Sequence, residues 1–192
     1  MLISLFVLSF FPNLQLPTLG NTGINFVFLI IFFVFLIASL TDFLDGYLAR
    51  KNNQVTDLGK FLDPVADKML INSMIIFLVA PSIFAPYASN NISFNVWCVI
   101  IMVVRDIVVD ALRFIASNKK VVIAANIFGK MKTVLQMVAI SLVLLNGFPF
   151  SYFDASFPSG LHITDIFVYL ATFVSFLSGV IYIWQNKKVI KN

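Results

Sequence analysis

Four aspartates lie close together in the sequence, between two long apolar runs, at Asp42, Asp45, Asp63 and Asp67. An ionisable side chain inside a membrane helix costs about 2.5–3.5 kcal/mol on insertion scales, so a group of carboxylates there needs a functional reason. On a helix, Asp42 and Asp45 lie about 60° apart around the axis. The same geometry places Asp63 and Asp67 about 40° apart on the next helix. If the two helices form a hairpin, all four carboxylates can converge on one site.

Converging carboxylates repel one another, so a cation must share their site. No His or Cys accompanies the four aspartates, and a ligand set made only of oxygen indicates Mg²⁺ or Mn²⁺ rather than zinc. Two such ions about 3.5–4 Å apart can clamp a phosphoryl displacement. Another interpretation is that the aspartates cap helix ends at the membrane surface, which would explain one or two of them but not four at these spacings.

Small and cationic residues follow the first aspartate pair. Gly46 and Ala49 have little side-chain bulk, so a ligand or a neighbouring helix can approach the backbone there. Arg50 lies about one to two turns from the carboxylates, where its guanidinium group can bind a diphosphate.

Residues 42–67, which we call the aspartate motif, have the pattern D-x2-D-G-x2-A-R-x8-G-x3-D-x3-D. This pattern resembles the signature of the CDP-alcohol phosphatidyltransferase family at every fixed position. The resemblance implies an integral membrane enzyme that cleaves the diphosphate of a CDP-linked lipid and passes the phosphatidyl group to an alcohol, releasing CMP. It also implies a homodimer.

In keeping with this resemblance, we assign a hypothetical function to each fixed residue of the aspartate motif. Asp42, Asp45 and Asp63 would bind one metal ion. Asp42, Asp63 and Asp67 would approach the second, and Asp67 would also be the general base for the acceptor hydroxyl. The pocket for the CDP-lipid would be shaped by Gly46, Ala49, Arg50 and Gly59.

The composition is that of a membrane protein. Of the 192 residues, 60% are hydrophobic and 11% are charged, whereas soluble domains carry roughly 25% charged residues. We expect a single domain over residues 1–192. The single Cys98 excludes an internal disulfide, and the single His162 excludes a histidine dyad or metal cluster. We interpret the net charge of +4 as topology and contact with anionic lipids, not nucleic-acid binding.

Apolar runs between turn-forming segments predict an all-α bundle of about six membrane helices. The run at residues 1–11 is too short to span a bilayer, so we interpret it as a truncated first helix and expect the native chain to begin upstream of Met1. Tyr182 and Trp184 suit an aromatic belt at the membrane surface. The other predicted helices cover residues 24–51, 59–80, 94–116, 125–145 and 163–184.

The distribution of cationic residues orients the bundle. Lys and Arg cluster at residues 50–68 and 117–132 and at the C-terminus, whereas the loops 12–23, 81–93 and 146–162 contain none. By the positive-inside rule, the two basic turns and the C-terminus lie on the cytoplasmic side. We therefore expect a multi-pass protein of the cell membrane, of bacterial type, whose active site faces the cytoplasm.

The fourth and fifth predicted helices contain a second group of charged residues. Arg105 and Arg113 are about 80° apart around one helix and about two turns apart along it. Lys130 and Lys132 begin the next helix. These four cations, which we call the acceptor residues, indicate a pocket for a phosphate, because guanidinium and ammonium groups bind phosphate through charge-assisted hydrogen bonds.

Two other interpretations of the acceptor residues remain open. The lysines could extend to the membrane surface as positive-inside residues, and the arginines could form structural pairs with Asp106 and Asp110. The G-K-x-K-T sequence at residues 129–133 and the arginine spacing resemble the branch of the family that converts CDP-diacylglycerol and glycerol 3-phosphate into phosphatidylglycerophosphate. That resemblance covers about residues 40–140 and implies glycerol 3-phosphate as the acceptor.

Other functions remain open at this point. Within the family, the acceptor could be serine, inositol phosphate or phosphatidylglycerol. From another class, a cation transporter could use the four aspartates as its ion site. Transporter folds often contain internal repeats, and no repeat is evident in this sequence.

Overall fold

The computed structural model describes residues 18–19, 24–52, 57–79, 92–119, 127–153 and 162–187. Two short strands, β1 (Thr18–Leu19) and β2 (Ile24–Asn25), pair antiparallel just before the first helix, and a 3₁₀ turn covers Phe150–Tyr152. The predicted all-α class is confirmed, and the small ladder is an addition that the sequence did not predict. The long helices of the described residues are α1 (Phe26–Lys51), α2 (Asp57–Phe77), α3 (Val96–Asn118), α4 (Ile127–Leu144) and α5 (Ile163–Gln185).

Three of the described helices are long and apolar enough to cross a membrane, over Phe26–Leu48, Ile127–Leu144 and Ile163–Gln185. Helices α2 and α3 have 21 and 23 residues, so their length also suits a span. Each of them contains several charged residues, however, and these lower its hydropathy. The predicted first helix, residues 1–11, lies outside the described residues, so the count of six stays a prediction.

All five described helices contribute to an apolar core. Helix α5 packs most extensively against α4 and α3. Large apolar side chains also cover the outer faces, and many of them are exposed, such as Phe33, Ile37, Phe173 and Phe176. Helices that are apolar all round are typical of a membrane bundle, where the outer faces contact lipid. Fully buried core residues include Phe28, Met74, Leu78, Met102, Ile140 and Leu144.

Local capping interactions set the helix ends. Helix α3 begins after Asn95, whose side chain accepts a hydrogen bond from the backbone N–H of Trp97 at 3.0 Å. At the start of α5, the carboxylate of Asp165 accepts a hydrogen bond from the backbone N–H of His162 at 3.0 Å. Helix α4 ends at Leu144 and is followed by Asn146, whose φ of 52° is left-handed. The N–H groups of Asn146 and Gly147 donate to the carbonyls of Val143 and Leu142 at 3.1 and 2.8 Å, the pattern that terminates many helices. Each observed end lies within three residues of the predicted one.

Candidate active site

Helices α2, α3 and α4 enclose a cavity of about 230 Å³, which we call the polar cavity. Five of its lining side chains are cationic and two are carboxylates. A concave surface with an excess of one charge concentrates ligands of the opposite charge, so the polar cavity is suited to an anion. Its lining residues are Asp67, Lys68, Ile71, Arg105, Asp106, Val109, Arg113, Gly129, Lys130, Lys132 and Thr133.

All four acceptor residues line the polar cavity, although they come from two different helices. Arg105 and Arg113 extend from α3, where a separation of eight residues, about two turns, keeps both on the cavity side. Lys130 and Lys132 belong to the first turns of α4 and are about 200° apart around its axis. These two lysines therefore differ in environment, and Lys130 is exposed while Lys132 is buried.

A buried carboxylate links two of the acceptor residues. Asp106 is only 3% exposed, and one of its oxygens accepts a hydrogen bond from Arg105 Nη1 at 3.0 Å. Lys132, itself 6% exposed, donates to both oxygens of the same carboxylate. Lys132 therefore does not extend to the membrane surface. A buried charge is tolerated when it is paired, and here one carboxylate is shared by two cations.

The pairing with Asp106 leaves most of the Arg105 guanidinium group available. Nη1 is bonded to the carboxylate, whereas Nε is buried and has no hydrogen-bond partner among the described residues. A guanidinium group has five N–H donors in a fixed plane, and a buried donor without a partner is costly. Arg105 thus combines a structural ion pair with donors that an anion in the polar cavity can use.

Arg113 and Asp110 do not pair with each other, although the sequence left that possibility open. Asp110 instead forms an ion pair with Lys68 from α2. Arg113 Nε donates to the hydroxyl of Tyr182 on α5 at 3.3 Å, and its guanidinium carbon lies 5.7 Å from the centre of the Tyr182 ring. Both α2 and α5 therefore contact the charged face of α3.

The predicted general base, Asp67, also lines the polar cavity. It lies on α2 one residue before Lys68, so this residue of the aspartate motif shares a cavity with the acceptor residues. The loop between α2 and α3 separates Asp67 from the acceptor residues in the sequence, and the fold brings them to the same cavity.

The first half of the aspartate motif is on the C-terminal part of α1. Asp42 and Asp45 are exposed there, and Gly46 is half-buried. Among the described side chains, no group of three or more acidic, His or Cys residues is arranged to hold a metal ion. The convergence of all four aspartates stays a prediction, because the side chain of Asp63 lies outside the described residues. The same holds for three other fixed positions of the motif, namely Ala49, Arg50 and Gly59.

Two residues next to the site were not recognised from the sequence as part of it. Tyr182 was predicted to lie in an aromatic belt, but it is 2% exposed and contacts Arg113, so that prediction was wrong. Gly179 lies one turn earlier on α5, against the side chain of Arg105. The separation of three residues, which places both on one helix face, was the available signal.

The family model for CDP-alcohol phosphatidyltransferases matches residues 1–181 of the chain. The chain therefore belongs to the CDP-alcohol phosphatidyltransferase family, and the enzyme class predicted from the aspartate motif is confirmed.

Several proteins with the name CDP-diacylglycerol–glycerol-3-phosphate 3-phosphatidyltransferase are similar to this chain. The one from Bacillus subtilis (strain 168) is 40% identical over 158 residues, which cover 82% of this chain and 74% of that protein. The one from Mycoplasma genitalium is 41% identical over 165 residues, covering 81% of this chain and 64% of that protein. An Arabidopsis thaliana protein of the same name, numbered 2, is 32% identical over 163 residues, which cover 79% of this chain and 66% of that protein.

Proposed function

We propose that the protein transfers the phosphatidyl group of CDP-diacylglycerol to glycerol 3-phosphate, giving phosphatidylglycerophosphate and CMP. The observation that supports this acceptor best is the polar cavity, where four cationic side chains and Asp67 line the same space. The names of the similar proteins point to the same two substrates. The family membership supports the transfer itself.

The acceptor phosphate is bound by the cationic side of the polar cavity. Glycerol 3-phosphate carries nearly two negative charges, and Arg105 and Arg113 offer donors that match phosphate oxygens. Asp106 holds Arg105 and Lys132 in place through its two oxygens. Lys130, which is exposed at the rim, adds positive charge where the acceptor enters.

The reacting hydroxyl lies at the carboxylate side of the cavity. Asp67 takes the proton of that hydroxyl as its oxygen forms a bond to the phosphorus of the phosphatidyl group. The bond between this phosphorus and the oxygen of the CMP phosphate breaks, and CMP leaves with the electron pair. The phosphate pocket fixes which acceptor hydroxyl meets Asp67, because it binds the opposite end of a short molecule.

Asp42, Asp45, Asp63 and Asp67 would hold one or two divalent cations. The described members of this set offer only carboxylate oxygens, and two of the carboxylates, Asp42 and Asp45, are exposed on α1. This donor chemistry fits Mg²⁺ or Mn²⁺. When bound, such ions offset the negative charge of the diphosphate and of the leaving CMP. Gly46, Ala49, Arg50 and Gly59 would shape the pocket for the CDP-lipid.

The remaining features of the proposal concern the membrane. The three span-capable helices support a membrane protein, and the positive-inside rule supports an active site facing the cytoplasm of a bacterial-type cell membrane. The chain is proposed to act as one domain over residues 1–192 and, by family resemblance, as a homodimer.

An acceptor screen tests the proposed function. The purified protein is incubated with CDP-diacylglycerol and Mg²⁺ or Mn²⁺, and CMP release is followed with glycerol 3-phosphate, glycerol, serine, inositol phosphate or phosphatidylglycerol. We expect release with glycerol 3-phosphate only. Equal rates with glycerol or serine would contradict the phosphate pocket, and ion flux into vesicles without any CDP-lipid would favour the transporter alternative.

A further inference from the structure

Helix α5 contacts two of the acceptor residues without lining the polar cavity. Among the described residues that line the polar cavity, none belongs to α5. The helix nevertheless packs extensively against α3. Two of its buried residues, Gly179 and Tyr182, contact Arg105 and Arg113 although neither of them lines the cavity.

Gly179 provides the space that the Arg105 side chain occupies. A Cβ atom at position 179 would lie 2.8 Å from Cγ of Arg105, 3.8 Å from its Cβ and 3.9 Å from its Cδ. Optimal contacts between carbon atoms are about 3.5–4.0 Å, so the first of these distances is a clash. The aliphatic part of Arg105 therefore passes α5 at a point where only glycine fits.

The clash would affect the guanidinium group, although it occurs near the backbone. Cγ follows directly from the first side-chain torsion, so Arg105 can avoid a methyl group at position 179 only by changing rotamer or by separating α3 from α5. A rotamer change carries the guanidinium group away from its hydrogen bond with Asp106. A separation of the helices moves α3, together with Arg105, relative to Lys132 and the other residues of α4 that line the cavity. The position of the Arg105 guanidinium group in the polar cavity thus depends on residue 179 being a glycine, which has no side chain.

Tyr182 holds the second arginine, by a different contact. Its hydroxyl accepts the hydrogen bond from Arg113 Nε at 3.3 Å, and its ring lies under the guanidinium group at 5.7 Å, within the range of a cation–π contact. Tyr182 is itself fixed by Val109 and Leu112 of α3, with which it forms a small buried apolar cluster. Only Nε of Arg113 is used in this hydrogen bond, and the two terminal nitrogens can still bind an anion.

We propose that α5 positions the acceptor site, with Gly179 setting the side chain of Arg105 and Tyr182 setting that of Arg113. Both are positioning residues, because neither lines the polar cavity. This inference rests on the proposed function, because the effect of both residues is measured through the KM for glycerol 3-phosphate. It identifies residues outside the aspartate motif and outside the acceptor residues that determine how tightly the acceptor binds.

The main test is the Gly179→Ala variant of the full chain. Displacing one charge-assisted contact should raise KM for glycerol 3-phosphate roughly ten- to a hundredfold, while KM for CDP-diacylglycerol stays within about twofold, since the lipid is bound by the aspartate motif. Gly147→Ala is the matched control, because its added Cβ would lie 3.0 Å from Ile92 Cδ1 and 3.1 Å from Thr164 Oγ1 at a φ of 79°. Thr164 is at the start of α5, whereas Gly179 is near its end. That control should lower the melting temperature without changing either KM.

A double-mutant cycle separates positioning from general damage. In the Arg105→Ala background the clashing Cγ is gone, so adding Gly179→Ala should not raise KM for glycerol 3-phosphate further. If the rises in KM caused by Arg105→Ala and by Gly179→Ala instead multiply in the double variant, the proposal is overturned. An unchanged KM in Gly179→Ala alone would overturn it too. If Gly179→Ala alone does not fold, the double variant should recover folding because it relieves the contact, and its failure to do so would also count against the proposal.

Tyr182→Phe tests the second contact with little risk to folding, because it removes only the hydroxyl. We expect a rise of a few-fold in KM for glycerol 3-phosphate and no further rise when it is combined with Arg113→Ala. Ser178→Ala is the neighbouring control, since the Ser178 hydroxyl donates to the Ser175 carbonyl of its own helix. An equal effect of Ser178→Ala and Tyr182→Phe would refute the assignment.

A binding measurement distinguishes failure of this inference from failure of the proposed function. If the wild-type protein releases no CMP with glycerol 3-phosphate, the proposed function fails, and inorganic phosphate becomes the probe. Phosphate should raise the melting temperature of the wild type and of Gly147→Ala. The rise should be much smaller for Gly179→Ala. Equal protection of wild type and Gly179→Ala overturns the positioning proposal, and no protection of the wild type overturns both it and the phosphate pocket.

Discussion

Asp106 and Asp110 lie one turn apart on α3, and replacing each by Asn should have very different consequences. Asp106 is 3% exposed and shared by Arg105 and Lys132. Removing one partner of a buried ion pair typically costs about 3–5 kcal/mol, because a charge is left buried without compensation. The side chain of Asp110 is 44% exposed in its pair with Lys68, and exposed pairs contribute only about 0.2–1 kcal/mol.

The measurement compares Asp106→Asn and Asp110→Asn in the same detergent, using thermal or denaturant unfolding together with KM for glycerol 3-phosphate. We expect Asp106→Asn to lose several kcal/mol of stability and to raise KM, since Arg105 and Lys132 lose the group that holds them. Asp110→Asn should change both quantities little. If the two variants are equally stable, Asp106 is not the buried link between the two cations, and the description of the site is refuted.

Three further predictions follow from the site. Arg105→Ala and Arg113→Ala should each raise KM for glycerol 3-phosphate roughly ten- to a hundredfold with little change in KM for CDP-diacylglycerol; an unchanged acceptor dependence would contradict the phosphate pocket. Lys130→Ala should weaken acceptor binding without loss of stability, whereas Lys132→Ala should also destabilise the fold; equal melting temperatures would show that burial of Lys132 is unimportant. Asp67→Asn should abolish CMP release while CDP-lipid binding, measured by titration, persists. Substantial activity of this variant would remove the general-base assignment. Asp42→Asn should impair both CMP release and CDP-lipid binding.

The family, the all-α class and the helix ends could be predicted from the sequence because their signals are local. Long apolar runs define helices, and a fixed spacing of aspartates and small residues defines the aspartate motif. The structure brings the four acceptor residues to one cavity, and their binding of a phosphate stays a prediction. Two of them are eight residues apart on one helix, and the other two begin the next helix, so their relation depended little on tertiary detail.

The individual pairings could not be predicted, because they depend on how each helix is rotated against its neighbours. From the sequence, Asp110 was as good a partner for Arg113 as Asp106 was for Arg105. The structure pairs Asp110 with Lys68 of α2 and places Tyr182 of α5 against Arg113. Local spacing determines which face of a helix a residue occupies, but not which helix covers that face.

The charges of the polar cavity bear on both folding and binding. Cationic side chains outnumber carboxylates among its lining residues, and the mutual repulsion of like charges in a partly enclosed space opposes the folded state. Asp106 compensates this repulsion for Arg105 and Lys132, whereas Arg113 and Lys130 form no ion pair with a carboxylate within the described part of the chain. An acceptor with nearly two negative charges supplies the missing compensation. The same excess of positive charge that destabilises the protein therefore favours a phosphorylated acceptor over a neutral alcohol such as glycerol or serine.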